Sequence, residues 1–168
     1  MGNSIILDPY DVYRMTTGMG KSMQELLAAS VEFNVVDGVI LPNLKMQGTE
    51  EACAYLDEEG RCSIHPYRPG ICRLFPLGRY YENGGFSYFL QTGECAKENR
   101  SKIKVSKWID TPDLTRNQQF TLQWHDLLHA MEERLTGEDE GKQREENLLL
   151  LRLFYLLPYK GTTDFYSQ

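Results

Sequence analysis

The chain has 168 residues, 41% of them apolar and 25% charged, and its 18 basic and 24 acidic side chains leave a net charge of −6. A single globular domain over 1–168 is expected, large enough to bury roughly two-thirds of its unfolded surface without disulfides or a metal. A membrane span is excluded, because the longest apolar stretch, 148–157, is broken by Arg152 and is about half the length a bilayer requires. A pI near 5.1 with no dense run of Lys and Arg argues against a nucleic-acid partner. The N-terminus lacks the basic and apolar regions of an export signal, so a cytoplasmic location is expected.

Taken in chain order, Asp8-Pro9-Tyr10-Asp11 predicts a helix start, with Asp8 as cap, Pro9 in the first turn and Gly18 or Gly20 as the stop. Ser22 and Glu25 form the capping box of a second short helix through Ala29. The run Val35-Val36-Asp37-Gly38-Val39-Ile40 predicts a hairpin about an Asp-Gly turn. Over 49–100 helical periodicity disappears, and short strands and turns are expected. Residues 57–60 separate Ala54-Tyr55-Leu56 from Cys62-Ser63-Ile64, and Asn83-Gly84-Gly85 separates two aromatic runs. From Ser106 the chain reads as helical. Phe120, Trp124, Leu127, Leu128, Met131 and Leu135 make one apolar face, and a last helix ending at Pro158 has a half, 148–157, that is apolar nearly all round and predicted to be buried. The expected fold class is α+β, with helical ends (1–48 and 106–158) around a cysteine-rich centre (49–100).

Cys53, Cys62, Cys72 and Cys95 are separated by 8, 9 and 22 residues, which is not the close spacing of zinc knuckles. Each of the last three follows a bent segment, where amide groups and Arg61, Arg68 or Arg73 can stabilise a thiolate. Three uses remain open from the residues alone. They are a soft metal site holding zinc or an iron–sulfur cluster, small buried cysteines, and disulfides, which a reducing compartment disfavours. His65 is a weaker candidate ligand. His125 and His129 lie one turn apart and read as helix-surface residues. Arg68 and Arg73 could bind an anion, support the thiolates, or pair with Asp57, Glu58 or Glu59. The aromatic run of residues 80–89 reads as cross-strand pairing, with a protein partner as the other possibility.

The string Cys53-Ala-Tyr-Leu-Asp-Glu-Glu-Gly-Arg-Cys62-Ser-Ile-His-Pro-Tyr-Arg-Pro-Gly-Ile-Cys72-Arg-Leu-Phe-Pro76, with Gly93-Glu-Cys95 after it, resembles the YkgJ-type cysteine-cluster family, as does residues 5–14. That family consists of zinc- or iron-chelating domains of bacteria and archaea. The resemblance implies that Cys53, Cys62, Cys72 and Cys95 converge on a zinc ion or an iron–sulfur cluster, with the metal ion as the partner. It leaves an iron–sulfur redox or protein-modification enzyme, linked to lysine methylation, as an alternative, and cysteines without metal as another. The family's Cys-x2-Cys-x2-Cys-Cys group, expected before Ile5, is not in this sequence.

Overall fold

Asp8 opens the first helix, α1 (Pro9–Met19), through a reciprocal capping box. Its carboxylate accepts the Asp11 N–H at 2.8 Å, and the Asp11 carboxylate accepts the Asp8 N–H at 3.2 Å. Gly20 ends the helix in the left-handed region, as a glycine can. Ser22 and Glu25 repeat the capping box at α2 (Met23–Ala29). The structure, a computed structural model, describes residues 5–94 and 102–168.

Strands β1 (Val31–Val36) and β2 (Val39–Leu44) form an antiparallel hairpin with Val36 opposite Val39. Asp37 and Gly38 both take positive φ, as the predicted two-residue turn requires. A minimal pair follows, β3 (Met46–Gln47) with β4 (Ala52–Cys53), and Leu56 then bridges Cys62 across the 57–60 turn. A 3-10 turn (His65–Tyr67) leads to the short helix α3 (Gly70–Leu74). The strands and turns expected across the centre are present, and α3 joins them unannounced, because five residues are too few to display a helical period. Strands β5 (Leu77–Glu82) and β6 (Gly85–Leu90) pair about Asn83-Gly84, and the facing rings of Tyr81 and Phe86 lie 5.4 Å apart.

The C-terminal part is α4 (Val105–Ile109), α5 (Leu114–Leu135) and α6 (Glu140–Leu151), which runs into one π-helical turn (Arg152–Leu156) before Pro158. The fold is α+β, with terminal helices flanking a central series of hairpins. Leu7, Val12, Met15, Leu26, Val31, Leu41 and Leu44 form the core with Trp124, Leu135, Leu150 and Tyr155. The face of α5 departs from its predicted composition, since Leu127 is exposed while Asn117 and Thr121 are buried.

The predicted burial of 148–157 is also corrected. Leu150, Leu151 and Tyr155 are buried, but Leu148, Leu149, Leu153 and Leu157 are each more than half exposed. Apolar composition around a helix supplies no second packing partner, and α6 meets the core on one side only. No helix among the described residues is long and apolar enough to cross a membrane.

Candidate metal centre

Cys53 ends β4, Cys62 follows the 57–60 turn, and Cys72 stands mid-way along α3. The turn before Cys62 is closed by Asp57, whose Oδ1 accepts the Glu59 and Arg61 N–H groups at 3.0 and 2.8 Å. Arg61 pairs with the acidic side chains of that turn, 3.6 Å from Asp57 and also with Glu59. Of the alternatives for Arg68 and Arg73, pairing with this acidic turn is not among the ion pairs of the described residues, where the turn pairs with Arg61 and Arg73 with Asp110.

All three cysteines are free thiols, partly buried. Burial pushes the Cys53 thiol up, and the neighbouring Cys62 adds to the shift. Cys72 is pushed up to about 12 by burial, then by the charges of Asp11, Cys53 and Cys62, with Arg68 opposing. Cys95 lies outside the described residues. Among the described residues, no group of three or more His, Cys, Asp or Glu side chains is placed to hold a metal ion. The donor chemistry suits a soft cation, which would have to displace the protons that burial holds on Cys53 and Cys72.

The helix carrying Cys72 is gripped at both ends by residues distant in sequence. Asp11, 4% exposed, accepts the Gly70 N–H on Oδ1 at 2.7 Å. Arg73, 5% exposed, donates to the carbonyls of Asp110, Pro66 and Arg68 at 2.6, 2.7 and 3.2 Å. Trp108 Nε1 donates to the carbonyls of Leu74 and Phe75. Sequence reading missed Asp11 and Trp108 as supports of Cys72, because no spacing rule links residues 59 or 34 positions apart.

None of the three histidines joins a metal-ligand group among the described residues, although the His65 N–H donates to the Cys62 carbonyl at 3.2 Å. His65 is exposed at the start of its 3-10 turn. The His125 ring stacks on Tyr81 at 3.7 Å, and His129 faces Glu132 at 3.9 Å on the surface of α5.

A family profile described as "Putative zinc- or iron-chelating domain", CxxCxxCC, matches residues 5–102, more than half of the chain and the span that holds all four cysteines. No curated protein and no solved structure matches.

Proposed function

The chain belongs to the zinc- or iron-chelating CxxCxxCC family, and on that premise we propose that it binds a zinc ion or an iron–sulfur cluster through Cys53, Cys62, Cys72 and Cys95. The observation that supports this reading is the family match over residues 5–102, the span that carries all four cysteines, beside the charge of Cys62 acting on the Cys53 and Cys72 thiols. Four thiolates are a sufficient set for tetrahedral zinc or for a small cluster. A reducing compartment such as the cytoplasm would keep them available.

Metal analysis of protein purified without air tests the proposal. About one zinc per chain, or a brown preparation with iron and sulfide, is expected. Cys62→Ser and Cys72→Ser should each lose the metal and lower the melting temperature together. Unchanged metal content in both variants overturns the assignment. A second reading rests on the packing of Cys53 and Cys62 against the hydrophobic core. Cysteines that act only as small apolar side chains would give metal-free wild-type protein, with stability still reduced by serine.

A further inference from the structure

The outward side of α6, with its C-cap Arg152, carries a short symmetric pattern. From 145 to 152 the exposed residues are Glu145, Leu148, Leu149 and Arg152, whereas Asn147, Leu150 and Leu151 are buried against the core and Glu146 is partly buried beside Arg134. Two leucines thus stand at the centre, with an acid three positions before them and a base three positions after. At 3.6 residues per turn these four positions fall on one stripe. Leu153 and Leu157 extend the apolar surface past Arg152.

The charges at the two ends of the stripe are uncommitted. Among the described residues Arg134 pairs with Glu146 and Lys142 with Glu138, but neither Glu145 nor Arg152 has an ion pair. They lie about 10 Å apart along the helix, too far to reach each other. A second copy supplies what the stripe lacks. Laid antiparallel about a two-fold axis between Leu148 and Leu149, two stripes set Leu148 against Leu149 and Glu145 against Arg152, each contact occurring twice. A parallel pairing in register sets acid against acid and base against base, and is disfavoured.

We propose that this face of α6 is a self-recognition surface, through which two copies of the chain pair antiparallel with Leu148 and Leu149 at the centre and Glu145–Arg152 pairs at both ends. Four leucines hide less than the roughly 800 Å² per partner of a standard interface, and the net charge of −6 opposes the approach, so the dimer is weak. In the dilute solutions used for thermal melts the leucines therefore stay bare. None of the proposed metal ligands lies on α6, so the inference is independent of that reading.

Sedimentation equilibrium of the full chain at pH 7, from micromolar to submillimolar concentration, tests the proposal. The apparent mass should rise from 19.4 kDa toward twice that value. Leu149→Glu, Glu145→Arg and Arg152→Glu should each weaken the association about tenfold or more. Glu145→Arg separates the contact from net repulsion, because exchanging an acid for a base takes the net charge from −6 to −4 and by itself favours association. The double variant Glu145→Arg/Arg152→Glu keeps the net charge and should recover the wild-type constant, a recovery that damage to the fold cannot produce. A wild-type chain that stays monomeric overturns the proposal, and sedimentation of that monomer with phosphatidylglycerol vesicles assigns the face to a lipid surface instead. Association that survives Leu149→Glu, or that the double exchange does not recover, overturns it as well.

Discussion

Asp11 serves two helices with one carboxylate, capping α1 through Oδ2 and receiving the first N–H of the Cys72 helix on Oδ1. Asp11→Ala removes both bonds and leaves Gly70 N–H without its partner, so a loss of about 2–4 kcal/mol in urea unfolding is expected. Burial also sets a pH signature. It pushes the Asp8 carboxyl up to about 6, against the pull of the Asp11 N–H and Arg79, and pushes Asp11 up with the Asp8 charge adding to the effect. In the unfolded chain these groups ionise near 3.8. Between about pH 4 and 6 the folded state therefore holds more protons than the unfolded state, and these carboxyls' contribution to stability falls as pH rises through that window. Asp8→Asn keeps a capping side chain and should flatten this part of the stability curve, measured by denaturation at several pH values. The capping role was legible in the sequence because it spans three residues. The link from Asp11 to Gly70 was not, since it exists only once α1 and α3 have docked.

Two contacts between elements decide how the hairpins and helices lock together. Asn147, 3% exposed on α6, accepts the Ile40 N–H at 2.7 Å and donates to the carbonyls of Gly38 and Gln143. Asn147→Ala should cost about 2–3 kcal/mol and expose the β1–β2 turn to hydrogen exchange, because a partly buried strand N–H is left without this partner. Gly18 matters for a different reason. A Cβ there would lie 2.3 Å from the Tyr67 ring, so Gly18→Ala must displace that ring. Its gain in helix propensity, about 1 kcal/mol, is set against overpacking of about 1–3 kcal/mol, and a lower melting temperature is expected. Hairpins and caps could be located from sequence because Asp-Gly, Asn-Gly and Ser-x-x-Glu carry their own geometry. Asn147 and Gly18 act across more than 40 residues, where local pattern is silent.

For the whole molecule, the α+β class and the grouping of the cysteines in a turn-rich centre could be read from the change in composition after residue 48. Which leucines face outward could not, because exposure depends on where neighbouring elements stop. Leu150 is 4% exposed and Leu149 is 54% exposed, although they are adjacent and chemically identical. Leu150→Ala should therefore cost about 2–4 kcal/mol, while Leu149→Glu changes stability by less than about 0.5 kcal/mol in thermal melts. The outward leucines of α6 also bear on colloidal behaviour. At pH 7 a net charge of −6 opposes association through that bare face, and the repulsion vanishes near the pI of about 5.1. That is inside the window where protonation of Asp8 and Asp11 favours the folded state, so on acidification the solution should turn turbid while the chain is still folded.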